Sequence, residues 1–128
     1  MKIVTLIARI LLGLGFFVFG LNGFLNFMKG DLPTGMAGNF IHALIDSHYV
    51  LFVAGTQVVA GALLLINRFV PLALTLLGPL LFNILVFHLT MEHSGAQMGI
   101  VCTLLWAFLL WRYRAYFVSL FVQKAEQS

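Results

Sequence analysis

Apolar residues fill four long stretches of this chain, and short polar segments separate them. The stretch 71–91 carries no formal charge. As an α-helix rising about 1.5 Å per residue, it is long enough to cross a hydrocarbon core of roughly 30 Å. Similar apolar stretches occur at 3–28, 49–66 and 98–113. The pattern predicts an all-α fold, a four-transmembrane-helix bundle.

The connection between the first two spans, 29–48, has a pattern of its own. Its first half is rich in Gly and Pro, which is typical of turns. In its second half, apolar residues recur at helical spacing with polar residues on the other side. We therefore expect a short interfacial or re-entrant helix at about 38–48. Long structured loops often cover a binding site, so this segment is a candidate lid.

Composition supports a membrane location. The chain is 62% hydrophobic and 9% charged, which leaves too little polar surface to coat a soluble domain of 128 residues. We expect a single membrane domain over 1–128 and no separate soluble domain. The net charge is +3, but Lys and Arg form no dense run with interleaved aromatics, so no nucleic-acid partner is expected.

The basic residues indicate how the chain crosses the membrane. Six of them fall on one side of the predicted spans, and only Lys29 falls on the other. The positive-inside rule then places both termini in the cytoplasm, in a multi-pass protein of the bacterial inner membrane. Arg9 lies near the start of the first span, where a long side chain can reach the headgroups. The six are Lys2, Arg9, Arg68, Arg112, Arg114 and Lys124.

Small residues mark the helix faces that we expect to pack closely. Glycines at helical spacing let two backbones approach each other inside a membrane. On the first span this face carries Arg9, Gly13, Phe16, Gly20 and Gly23, and on the second span it carries Ala54, Gln57, Val58 and Gly61.

Uncharged polar residues concentrate in the outer halves of the spans. With a helical rise of about 1.5 Å per residue, Gln57 and Trp106 lie near the bilayer centre and Asn22 lies roughly 10 Å outward. A polar-lined pocket is therefore expected to open toward the extracytoplasmic side. In an alternative interpretation, the amides only bond one another and fix helix packing. The candidate ligand-binding residues are Asn22, Asn26, Gln57, Asn83, Cys102, Thr103 and Trp106.

His88 is the most specific candidate for chemistry. It precedes Glu92 by one helical turn, so its ring can bond that carboxylate and handle a proton. These two residues are the catalytic candidates. In the alternative, His88 is an interfacial histidine that is capped by its own helix.

Metal and haem sites are not expected. His42, His48 and His93 lie on the outer side with Asp46, but no HxxxH or HExxH pair occurs. The single cysteine, Cys102, cannot form an internal disulfide. No covalently bound cofactor is predicted.

Three segments carry a resemblance to the DoxX-like family of small membrane proteins: ARILLGLGFFVFGLNGFLNF, QVVAGALLLINRFVPLALTLLGP and NILVFH. The resemblance implies a four-helix membrane bundle with a link to redox chemistry. Relatives serve as a membrane subunit of a thiosulfate:quinone oxidoreductase or partner thiol and superoxide-handling enzymes. The chain departs from many relatives in having Gly23 instead of Lys and Gln57 instead of an acidic residue.

Together these features predict an outward pocket for a small amphipathic, quinone-like ligand in a redox-associated membrane subunit. If the protein is an enzyme, it is part of a membrane oxidoreductase whose partner protein supplies electrons. Membrane lipid and further copies of the chain are the other expected partners. The alternative is a non-enzymatic scaffold, assembly factor or small transporter-like module.

Overall fold

A computed structural model describes residues 2–25, 34–93 and 96–123, and these residues form six helices and no strand. The prediction of an all-α fold is therefore confirmed for this part of the chain. Residues 26–28 of the expected first span, including Asn26, lie outside the described residues. The helices are α1 (Lys2–Leu25), α2 (Gly35–Asp46), α3 (Tyr49–Ile66), α4 (Val70–Thr90), α5 (Ala96–Arg112) and a 3-10 helix, η1 (Arg114–Phe121).

Three helices, α1, α3 and α4, are long and apolar enough to cross a membrane. The pair α5 and η1 passes the same test only as one unit bent by 82°, which would make a fourth span. In the most apolar parts of α1, α3 and α4, only 33%, 22% and 28% of residues are buried. The outward surface carries large apolar side chains such as Phe52, Phe82 and Leu104. These helices suggest a multi-pass membrane protein, since water would penalise such a surface.

The tightest helix contact joins α1 and α3 along their small residues. A Cβ atom added at Gly61 would lie 2.6 Å from the backbone nitrogen of Phe17 and 2.7 Å from the carbonyl oxygen of Gly13. One at Gly23 would lie 2.6 Å from the Cβ of Ala54. The faces predicted from the glycine spacing thus meet, and the two helices run in opposite directions.

The core is built from leucines of four helices. α1 packs against α3 and α5, and α4 packs against the same two helices. Helix α2 packs on α3, and its Phe40 ring lies 5.6 Å from the ring of Phe87 on α4. Fully buried large side chains come from each of the long helices: Leu12, Leu64, Leu74, Leu77 and Leu109.

Arg9, which we expected to extend toward the headgroups, is buried and bonds the end of a neighbouring helix. Its side chain is only 7% exposed, and its Nη1 donates hydrogen bonds to the main-chain carbonyls of Leu64 and Leu65. These carbonyls belong to the last turn of α3, where carbonyl groups lack partners within the helix. The guanidinium supplies a donor in addition to the Asn67 N–H, which bonds the Leu64 carbonyl at 3.4 Å, and a cation is also favoured at a helix C-terminus. Arg9 therefore caps α3 from a neighbouring helix.

Candidate functional site

His88 lies half-buried in the last turn of α4, with its ring edge-on to Phe87 at 5.3 Å. Its Nδ1 donates a hydrogen bond to the backbone carbonyl of Glu92, 3.0 Å away. The sequence predicts a bond from this ring to the Glu92 carboxylate, whereas the structure shows one to the Glu92 main-chain carbonyl. Because a carbonyl only accepts, Nδ1 carries the proton, and Nε2 is the ring nitrogen left for any other partner.

Asn83 does not face the interior. Its side chain is exposed, and its Nδ2 donates to the carbonyl of Pro79 on the same helix at 2.9 Å. Thr103 bonds its own helix in the same way, through the Gly99 carbonyl at 2.7 Å. Such back-bonding satisfies polar side chains within one helix. Of the candidate amides that the structure describes, neither Asn22 nor Gln57 is bonded to Asn83.

Three further candidates are half-buried on separate helices. Asn22 and Gln57 lie on α1 and α3, which pack against each other, while Cys102 packs against the hydrophobic core from α5. None of the three lines the two cavities described below, and neither do Asn83, His88, Glu92 or Thr103.

The larger cavity is a groove of about 800 Å³ in the elbow between α5 and η1, closed on one side by α4. We call it the elbow groove. Of the candidate ligand-binding residues, Trp106 lines it. The other lining residues are mostly apolar: Leu74, Thr75, Gly78, Ala107, Leu110, Trp111, Arg114, Ala115, Phe117, Val118, Leu120 and Phe121.

Trp106 is held in place by a hydrogen bond across two helices. Its Nε1 donates to the main-chain carbonyl of Leu74 at 2.8 Å. The indole passes over Gly78, where an added Cβ would lie 3.3 Å from Cζ2. Because the indole N–H already has a partner, Trp106 offers the groove an aromatic surface and not a donor.

Arg114 supplies the charge at the rim of the groove. Its Nη1 donates to the Trp111 carbonyl at 2.9 Å, and its guanidinium carbon lies 4.9 Å from the Trp111 ring centroid. This distance is within the range of a cation–π interaction. The remaining N–H groups of this anchored guanidinium are available to an acceptor.

The elbow groove does not coincide with the pocket that the sequence predicts. It lies at the end of the bundle where α4 begins and α5 ends, which we call the basic end because Arg68, Arg112 and Arg114 are there. The sequence placed the pocket at the opposite end. The difference arises because Asn83 and Thr103 bond within their own helices, while the 82° bend opens space beside Trp106.

Among the described residues, no group of three or more His, Cys, Asp or Glu side chains is arranged to hold a metal ion. His42 and His48 are exposed on α2 and at the start of α3, and His93 is exposed after α4.

Comparison with protein-family models, curated proteins and solved structures gives no match. The relationship to the DoxX-like family therefore stays a proposal.

Proposed function

We propose that this chain is a four-span membrane bundle whose elbow groove binds a small amphipathic, quinone-like molecule. The observation that carries the proposal is the combination of an apolar groove of about 800 Å³ with an anchored guanidinium at its rim. Ligand sites in proteins are typically about 300–1,000 Å³, mostly apolar, with few oriented polar groups.

The lining suggests how such a molecule would lie. A flat ring would stack on the indoles of Trp106 and Trp111, and a ring carbonyl would accept a hydrogen bond from Arg114. An isoprenoid or alkyl tail would follow Leu110 and Phe121. Since the groove opens on the apolar surface of the helices, the ligand would enter from the lipid.

The proposed topology places both termini and the groove on the cytoplasmic side of the inner membrane. The basic end carries Arg68, Arg112 and Arg114, whereas Asp46 and Glu92 lie at the opposite end. This asymmetry follows the positive-inside rule. The sharp bend between α5 and η1 suits an interfacial helix that leaves the bilayer after a span.

A redox role is the further part of this proposal, and it rests on the resemblance to DoxX-like proteins. A partner oxidoreductase would supply the electrons to the bound quinone. His88 and Glu92 are poorly placed to supply its protons. His88 is separated along α4 from Leu74, which lines the groove, by about 20 Å at the helical rise.

Intrinsic fluorescence offers a direct test, because both tryptophans of the chain line the elbow groove. Decylubiquinone would be titrated into lipid nanodiscs that contain the protein. We expect saturable quenching. Ala107→Phe, which fills the groove, should reduce the affinity about tenfold or more, as for the loss of about 1.4 kcal/mol. The matched control Leu104→Phe, on the exposed surface of α5, should leave the affinity unchanged.

The scaffold alternative predicts a different result. It is favoured by the close α1–α3 contact and by polar side chains that bond only within their own helices. In that case quenching would rise linearly with quinone in the lipid, equally for wild type, Ala107→Phe and Leu104→Phe. Such a result would reject ligand binding in the groove.

A further inference from the structure

A second cavity at the basic end has a different chemistry. It is a cleft of about 400 Å³ between the start of α1, the α3–α4 turn and the end of α5. We call it the basic cleft. Its lining residues are mainly cationic or hydrogen-bonding: Lys2, Thr5, Leu6, Arg9, Asn67, Arg112, Tyr113 and Tyr116.

The cleft gathers positive charge without a compensating carboxylate among its lining residues. Three cations, Lys2, Arg9 and Arg112, line it. Asp46 and Glu92, the acidic residues that the structure describes, lie at the far ends of α2 and α4. Cations held together repel one another, and the repulsion is stronger beside a low-dielectric membrane interior. An anion in the cleft would relieve it.

Two guanidinium groups are fixed by the fold before any ligand binds. Arg9 is 7% exposed and uses Nη1 on the carbonyls at the end of α3. Arg112 uses Nε to donate to Thr5 Oγ1 at 2.9 Å. A guanidinium has five N–H donors, so both retain donors in the fork geometry that matches phosphate oxygens.

Neutral donors complete the lining. The phenol groups of Tyr113 and Tyr116, whose ring centroids are 6.3 Å apart, and the amide of Asn67 are all on the cleft. Asn67 adopts a left-handed backbone conformation, φ 58°, as the C-terminal cap of α3. Its side chain is thus placed by the turn that ends the helix.

We propose that the basic cleft binds a phosphate group, distinct from any ligand of the elbow groove. The group would come from an anionic phospholipid or from a soluble phosphate. Basic pockets between membrane helices are suited to lipid headgroups on the side where anionic lipids and positive loops meet. The buried Arg9 and the tethered Arg112 would form the anionic contacts, and Lys2 would add charge at the entrance.

The lipid source is tested with the full chain in phosphatidylcholine nanodiscs that contain increasing fractions of phosphatidylglycerol. Native mass spectrometry would count the phosphatidylglycerol molecules retained on the released protein. We expect Arg112→Gln and Lys2→Gln each to weaken retention, Arg112→Gln by about tenfold because it removes a charge-assisted pair. The matched control Arg68→Gln removes an exposed charge from the same end and should retain wild-type binding.

The soluble source is tested in pure phosphatidylcholine nanodiscs with inorganic phosphate, compared with chloride at equal ionic strength. A rise in melting temperature that Lys2→Gln abolishes would identify soluble phosphate, whereas retention of phosphatidylglycerol alone would identify a lipid. Either result supports phosphate recognition. The proposal is overturned if neither probe distinguishes Lys2→Gln and Arg112→Gln from wild type, or if Arg68→Gln weakens binding equally.

Discussion

Arg9 on α1 donates a hydrogen bond to the main-chain carbonyl of Leu64 on α3, so a side chain of α1 caps the C-terminal end of α3. The contact lies at the same end of the α1–α3 pair as Gly13, whose added Cβ would lie 2.9 Å from the Leu64 Cβ. Close backbone approach therefore brings the guanidinium within reach of the Leu64 carbonyl, which also accepts a longer bond from the Asn67 N–H at 3.4 Å.

Replacement of Arg9 should destabilise the fold. Arg9→Met keeps much of the side-chain volume but removes the charged donor from the Leu64 carbonyl, which then keeps only the longer bond from the Asn67 N–H, so we expect a loss of about 1.5–3 kcal/mol. A lowered unfolding temperature in detergent or nanodiscs would show it. Arg68→Met, in the exposed turn, serves as the control and should unfold like wild type. Equal stability of both variants would refute the capping role.

The α1–α3 interface predicts opposite effects for two glycines. Gly61→Ala must displace backbone atoms of Phe17 and Gly13, so we expect destabilisation of about 1–3 kcal/mol, as for overpacking. At Gly15 an added Cβ meets nothing within 4 Å, and alanine should stabilise the helix by up to about 1 kcal/mol. Thermal unfolding of the two variants measures the difference. Similar stability for both would mean that α1 and α3 do not approach this closely.

Asn83 should prove dispensable for ligand binding. Because its amide bonds the Pro79 carbonyl on its own helix and its side chain is exposed, Asn83→Leu should keep the quinone affinity of the wild type. Titration of decylubiquinone against tryptophan fluorescence makes the comparison. A loss of quinone affinity comparable to that of Ala107→Phe would indicate that the ligand binds in the outer half of the bundle.

Membrane orientation follows from the charge asymmetry and can be measured by labelling. In a Cys102→Ala background, a cysteine replacing Arg68 should react with an impermeant maleimide only after the cells are permeabilised. A cysteine replacing His93 should react in intact cells. The reverse pattern would invert the proposed topology and place the elbow groove outside.

The fold could be predicted from the sequence where it depends on local length and spacing. The apolar runs predicted the first and last residues of α3 and α4 to within one residue. The glycine spacing identified the faces through which α1 and α3 pack against each other. These features require only helical geometry. Hydrogen-bond acceptors were harder to predict, because spacing alone brings His88 near Glu92 but does not say which oxygen accepts.

The elbow groove was missed for a different reason. It exists because the chain turns by 82° between Arg112 and Arg114, and hydrophobic periodicity contains no information about such an angle. Aromatic and basic residues alternate at Trp111, Arg112, Tyr113 and Arg114, a pattern typical of an interfacial belt at a membrane surface. That belt was the available signal, since helices that end at an interface often bend there, but the cavity beneath it depends on where Phe117 and Phe121 pack.

Mapping the position of a bound quinone analogue tests the account most directly. A photoactivatable ubiquinone would be cross-linked to the protein in nanodiscs, and the modified peptides would be identified by mass spectrometry. We predict adducts within residues 106–121. Ala107→Phe should reduce their yield, and Leu104→Phe should leave it unchanged. Adducts concentrated within 83–92, or spread evenly over all lipid-facing helices, would contradict it.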